Sequence, residues 1–264
     1  MQAPNATIST MRPLWTGSIS FGLVNIPVRM FSGVHHRQGI DLDMLHKDDH
    51  SPIRFARVCR KDGEEVPWDD IVKGYEYREG DYVVLSEKEL DSLDAEKSQT
   101  IDIQQFVQEG DIDIRYFEKP YYLEPVKGGE KAYSLLHAAL EQSDKLALAR
   151  FVMHQREHLA VIKPVGKALV LNQMRFPTDI RVGTDLNLPA ADKVSKDEVK
   201  VALKLISQET RPFMPEDFRD TYTEELEELI KEKTKGKKPA KHKSAPAKET
   251  SAHDLMSALK ASLK

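Results

Sequence analysis

The chain has 264 residues, 40% of them hydrophobic and 31% charged, enough for one sizeable globular domain with a real core and a small appendage. Met1 to Thr10 lacks the basic-then-apolar pattern of a signal peptide, no apolar run approaches the roughly 18 residues of a membrane helix, and Cys59 is the sole cysteine, so a cytoplasmic protein without membrane partners or intrachain disulfides is expected. The net charge of −4 divides unevenly: residues 231–264 hold ten lysines against Glu232, Glu249 and Asp254, about +7, leaving about −11 elsewhere. A polyanion held by the body of the chain must therefore meet a local patch of Lys and Arg, because placement relative to the phosphates matters more than total charge.

From Trp15 to Phe31 apolar residues alternate, first at odd positions (Trp15, Ile19, Phe21, Leu23) and then at even ones (Val24, Ile26, Val28, Met30). That is strand periodicity with a change of face, predicted as a bulge or sharp bend at Gly22 that curls the strand. Further strands are predicted at Tyr82 to Leu85, Ile101 to Val107, Ile112 to Phe117 and Tyr121 to Leu123, between Gly, Asp and Pro breaks. After Gly128-Gly129, the spacing of Ala132, Leu135, Leu136, Ala139 and Leu140 predicts a helix with one apolar stripe. Leu146 to Met153 and His158 to Phe176 read as strands again, the latter folded at Pro164-Val165-Gly166 with Lys163 and Lys167 flanking the tip. Many short strands around one helix point to an α+β protein built on a barrel or sandwich.

Ser195 and Glu198 form an S-x-x-E capping box ahead of Val199, Ala202, Leu203 and Ile206, and a further helix carries Tyr222, Leu226, Leu229 and Ile230. Lys231 to Lys248, rich in Lys, Pro, Ala and Ser, has the composition of a solvated disordered linker. Leu255, Met256, Leu259 and Leu263 then fall on one face of a short amphipathic helix.

The segment Arg12-Pro-Leu-Trp-Thr-Gly-Ser-Ile-Ser-Phe-Gly-Leu-Val-Asn-Ile-Pro-Val-Arg29 closely resembles the opening strands of bacterial Ku proteins. Matches follow in the family's order at Leu45-His46-Lys47, Glu65-Val66-Pro67, Ile71 to Tyr77, Tyr82 to Leu85, Phe117 to Pro125 and Arg156-Glu157-His158-Leu159. The resemblance spans roughly residues 11–230. It implies a Ku-type β-barrel core with a DNA-encircling bridge, paired as a homodimeric ring on ends of double-stranded DNA. It also implies no catalytic centre, no cofactor, and an ATP-dependent end-joining ligase of the ligase D type as partner, in the nucleoid-associated cytoplasm. The expected organisation is a flexible N-terminus (1–10), barrel and bridge (11–190), helical C-terminal arm (191–230), disordered Lys-rich linker (231–250) and partner-binding helix (251–264).

Holding a duplex without reading its sequence requires cations aimed at phosphates. The candidates are Arg29, Arg54, Arg57, Lys73, Arg150, Arg156, Lys163, Lys167 and Arg175, with Lys235, Lys237 and Lys238 of the tail; the bland reading of each is a solvated surface charge. Arg54 and Arg57 bracket Phe55 in a strand-like run, and Lys167 and Arg175 share strand parity. Leu255, Met256, Leu259 and Leu263 are the candidate partner anchors. Trp15, Trp68, Tyr75/Tyr77 and Tyr121/Tyr122 are expected in the core rather than as stacking platforms. His46, His50, Cys59 and Asp62 have one soft ligand among them, so no metal is expected and Cys59 reads as a small buried residue. A metal-dependent nuclease built on Asp41/Asp43 or Asp111/Asp113 is the competing enzyme reading. It lacks a diagnostic motif, and Asp113 reads as the outward residue of a half-buried strand. A basic-tailed, chromatin-like DNA binder is the third.

Overall fold

The computed structural model describes residues 12–35, 40–94, 99–183, 186–189, 194–236 and 255–262. The chain divides into two compact units, Met1–Arg37 with Met44–Val182, and Gln38–Asp43 with Gly183–Lys264.

The first unit is a closed seven-stranded barrel. It opens with β1 (Trp15–Phe21) and β2 (Val24–Ser32), then β5 (Thr100–Val107), β6 (Phe117–Pro125), β7 (Leu146–Met153), β8 (Arg156–Val165) and β9 (Ala168–Met174). Their order around the barrel is β1-β2-β6-β9-β8-β7-β5. All neighbours are antiparallel except β1 and β5, whose parallel pairing of Ser18 with Thr100 and Ile19 with Ile101 closes the cylinder. The change of face near Gly22 is a chain reversal rather than a bulge within a strand. Gly22, at φ +58, and Leu23 form a two-residue turn between Phe21 and Val24, which pair directly. Odd residues of β1 and even residues of β2 therefore face the same interior, with Ile19, Ile26, Val28 and Met30 fully buried. Ala147, Ala149 and Ala160 share that interior with Tyr121 and Phe151, small side chains matching large ones in a narrow barrel.

Helix α2 (Glu130–Ser143) packs on β8 and β2. Its buried residues are Tyr133, Leu136 and Leu140, whereas Leu135 and Ala139 of the expected stripe are exposed. The predicted strand Ile112 to Phe117 is absent but for Phe117, which opens β6; two 3-10 turns, Glu109–Asp111 and Ile114–Tyr116, flank Ile112 and Asp113. Asp113 caps the second by accepting the Arg115 N–H, so its Ile-Asp-Ile alternation marks a capped turn and not a sheet face. The β8–β9 reversal lies at Gly166-Lys167, one step later than expected, with Gly166 at φ +57 and Val165 paired to Ala168.

Between β2 and β5 runs a long excursion. It holds the bridges Leu45↔Pro52 and Val58↔Glu65, a 3-10 turn at Trp68–Asp70, a hairpin of β3 (Lys73–Arg78) and β4 (Asp81–Leu85), and α1 (Glu87–Asp94). β3 and α1 escape the sequence patterns because no residue described from 44 to 90 is buried, so no hydrophobic period is imposed on them.

In the second unit Ser195 caps α3 (Lys196–Glu209) through the predicted box with Glu198, and Asp220 caps α4 (Thr221–Thr234). Helix α4 continues four residues past 230, so Lys231 sits on it, paired with Glu227 at 3.1 Å. Helix α5 (Leu255–Ser262) packs against α3. The expected N-terminal segment 1–10 and most of the Lys-rich linker lie outside the described residues.

Candidate nucleic-acid interface

A side chain that holds a phosphate needs positive charge and free N–H donors, so the candidates can be sorted by what they already touch. Arg29 and Glu124 face each other on paired strands and meet at 2.8 Å. Arg54 meets Glu65 at 3.0 Å, Arg150 meets Glu157 at 3.3 Å, and Lys163 is paired with Glu109. Each of these four brings its own counter-charge, which lowers the positive potential it offers. Arg175 is spent differently: its Nη1 donates to the carbonyls of Arg115 (3.1 Å) and Phe117 (2.7 Å), tying the end of β9 to the start of β6.

Among the described residues, Arg57, Lys73, Arg156, Lys167 and Lys235 form no ion pair. Lys167, in the β8–β9 turn, and Arg175 stand at opposite ends of β9, roughly 25 Å of strand apart, so shared parity does not bring them together. Lys235 follows α4 in the other unit, and Lys237 and Lys238 lie outside the described residues.

Of the remaining three, Arg156 opens β8, and Arg57 and Lys73 lie on the excursion. It leaves β2 and returns to β5 at the end of the barrel that also carries the β7–β8 turn, with Arg156 beside it. Lys73 lines a hollow of about 460 Å³ with Trp68, Val72, Val84 and Leu85. It also lines a second hollow, about 240 Å³, with Gln155, the residue before Arg156. Arg57 lies over the Trp68 ring, 4.2 Å from its centre. Asp69 and Glu87 share these walls without pairing to any of the three cations. Arg57 thus lies on the ring whose hollow Lys73 shares, Arg156 follows the Gln155 of the second hollow, and among the described residues none of the three is in an ion pair.

Sequence reasoning missed the exposure of Trp68. It is 68% exposed, and Tyr75 and Tyr77 are exposed too, so the core expectation holds for Tyr121 and the half-buried Trp15 but not for these three. The signal was available in Pro67-Trp68-Asp69-Asp70, a polar, proline-led setting that a core aromatic rarely has. Cys59 is only half-buried, in a turn where Asp62 accepts from the Glu64 N–H and the Cys59 thiol; those bonds, the backbone one first, hold the Asp62 carboxyl below its ordinary range. His46 contacts Asp49 at 2.8 Å. Among the described residues no group of three or more His, Cys, Asp or Glu is placed to hold a metal ion. Asp113, half of the nuclease pair, is gripped by Arg115 at 2.9 Å, which lowers its carboxyl to about 2. In the terminal helix Met256 and Leu259 are half-buried, Leu255 is its first residue, and Leu263 lies outside the described residues.

The chain is similar to known proteins. A family model described as the Ku70/Ku80 beta-barrel domain matches residues 20–201, which include the whole excursion. The chain is 43% identical over 255 residues to a protein named non-homologous end joining protein Ku from Opitutus terrae, covering 96% of this chain and 91% of that one. It is 41% identical over 264 residues to non-homologous end joining protein Ku 2 of Saccharopolyspora erythraea, covering 98% and 86%. Against the protein of the first name from Coxiella burnetii it is 37% identical over 259 residues, covering 96% and 94%.

Proposed function

The chain belongs to the Ku β-barrel family, and from that premise we propose that it binds ends of double-stranded DNA without reading sequence, as a homodimeric ring, and recruits an end-joining DNA ligase. The observation that carries the reading is the identity of 43% over 255 residues, 96% of the chain, to a protein named for non-homologous end joining. The unpaired cations Arg57, Lys73 and Arg156 support phosphate binding, since they offer charge that no carboxylate among the described residues neutralises.

The excursion supports the dimer. A lone two-stranded hairpin is marginal in water, yet β3–β4 exposes Tyr75, Tyr77, Tyr82, Val83 and Val84. A second copy related by a twofold axis covers such a surface and turns two half-rings into one closed ring. In this reading the protein performs no chemistry; the ligase seals the strand, and the terminal helix with its Leu255, Met256, Leu259 and Leu263 is the docking element at the end of a lysine-rich tether.

The reading is tested by blocking ends. A linear duplex with both termini capped by biotin-bound streptavidin should lose most binding relative to the same duplex unblocked; equal binding would refute loading from an end.

A further inference from the structure

Four of the Arg and Lys residues that sequence reasoning nominates are neutralised by a neighbouring carboxylate, and within the excursion this divides two arginines three residues apart. Arg54 uses its fork on Glu65. The Arg57 guanidinium carbon instead sits over the Trp68 ring, 4.2 Å from its centre, and among the described residues Arg57 is in no ion pair. Stacking leaves the N–H edges free and the charge intact, the arrangement best suited to a phosphate oxygen pair. We infer that Trp68 is a positioning residue that aims Arg57 at a backbone phosphate of the bound duplex, an inference that rests on the DNA-end reading above.

The geometry follows from the backbone. Val58 and Glu65 form an antiparallel bridge, and the Val66 N–H donates to the Arg57 carbonyl at 2.8 Å, so Arg57 stands opposite Val66. Trp68 is then the diagonal neighbour of Arg57, two residues along the facing segment, a separation that a long side chain and an aromatic ring can bridge. Pro67 restricts the connection, and the 3-10 turn Trp68–Asp70 sets the departure of the indole. The indole also lines the hollow that Lys73 lines, so one ring adjoins both the arginine and the next unpaired cation. Ordering a flexible arginine before the ligand arrives lowers the entropy lost on binding. An exposed indole flanked by Asp69 and Asp70 would itself be a poor landing site for a polyanion, so the arginine above it is the contact.

The test uses the full-length protein, a linear duplex and a salt series, with light scattering and circular dichroism to check that each variant keeps the wild-type mass and fold. Arg57→Gln should weaken binding about tenfold and flatten the log-log salt slope by about 0.9 for each phosphate it no longer neutralises. Trp68→Leu should weaken it about two- to fivefold, Trp68→Phe should restore most of that, and Trp68→Leu added to Arg57→Gln should have no further effect. An equal loss from Trp68→Leu in both backgrounds, or an unchanged slope in Arg57→Gln, would overturn the inference. If Lys73→Gln and Arg156→Gln flatten the slope while Arg57→Gln does not, only this assignment fails. A wild-type protein with no salt-dependent affinity for linear duplex would instead remove the DNA-end reading itself.

Discussion

The Tyr133 hydroxyl accepts the N–H of Leu169 at 2.6 Å, so a helix side chain takes the place of a strand at the end of the β6–β9 ladder. The same hydroxyl donates to the Leu123 carbonyl at 2.8 Å, on the facing strand. Leu123 and Leu169 are the last pair of that ladder, beyond which β6 continues only with β2. One phenol thus satisfies two buried backbone groups and locks α2 to the barrel. Tyr133→Phe should cost about 1–3 kcal/mol for each backbone group left unpaired. Burial first, and Glu124 next, raise the Tyr133 pKa above its ordinary 10.0, against the opposing pull of the Leu169 N–H. A raised acid is favoured neutral in the fold, so its contribution is complete below pH 10 and is lost as pH rises through the folded value. Thermal melts should therefore show wild type and Tyr133→Phe converging on the alkaline side; a gap that stays constant above pH 10 would contradict this.

Gly17 is held to its size by two partners. A Cβ there would overlap the Gln99 carbonyl, which accepts the Ser18 N–H, and the ring of Trp15, which folds across Gly17 so that its indole N–H donates to the Val152 carbonyl at 2.9 Å. Gly17→Ala should therefore destabilise by about 1–3 kcal/mol, the usual range for overpacking, and Trp15→Phe, which keeps bulk but loses the donor, by about 1–2 kcal/mol. Urea unfolding gives both numbers; a neutral Gly17→Ala would show that β1 and β5 do not close the barrel as tightly as described.

The two classes of cation should separate by readout. Arg175→Met removes the donors to Arg115 and Phe117, so it should lower the melting temperature while leaving the salt slope of DNA binding unchanged. Arg156→Gln and Lys73→Gln, which break no ion pair, should do the reverse. A flattened salt slope in Arg175→Met at wild-type stability would place that residue on the DNA instead.

The barrel is legible from sequence wherever one face of a strand is buried. The strand predicted over Leu146 to Met153 matches β7 to the residue, and the face switch at Gly22 is visible in the alternation although its cause, a hairpin, is not. Periodicity fails where packing imposes none: β3 and α1 carry no buried side chain in their described lengths, and Ile112-Asp113-Ile114 alternates because Asp113 caps a turn. The cations of the site can be nominated but not ranked, because the carboxylates that neutralise Arg29, Arg54, Arg150 and Lys163 lie 95, 11, 7 and 54 residues away along the chain.

The tail should divide into two roles. Deleting residues 250–264 should leave binding to DNA ends nearly normal and reduce ligase stimulation, because Leu255, Met256, Leu259 and Leu263 are assigned to the partner. A helix this short is marginal alone, and α5 rests on α3, so the partner must outcompete that contact. Replacing the lysines between 231 and 248 should instead weaken binding to every duplex and flatten the salt slope. Unchanged ligase stimulation after the deletion, or loss of end binding, would show the helix to be misassigned.

Threading is the central claim, and competition between DNA topologies measures it most directly. With a labelled linear duplex as probe at fixed salt, unlabelled linear DNA of unrelated sequence should compete at the affinity of the probe itself, because phosphates carry the binding. A relaxed, covalently closed circle of the same length and sequence should compete poorly until a single cut restores its ends, since a closed ring of protein needs a free end to enter. Equal competition by the intact circle would contradict the account.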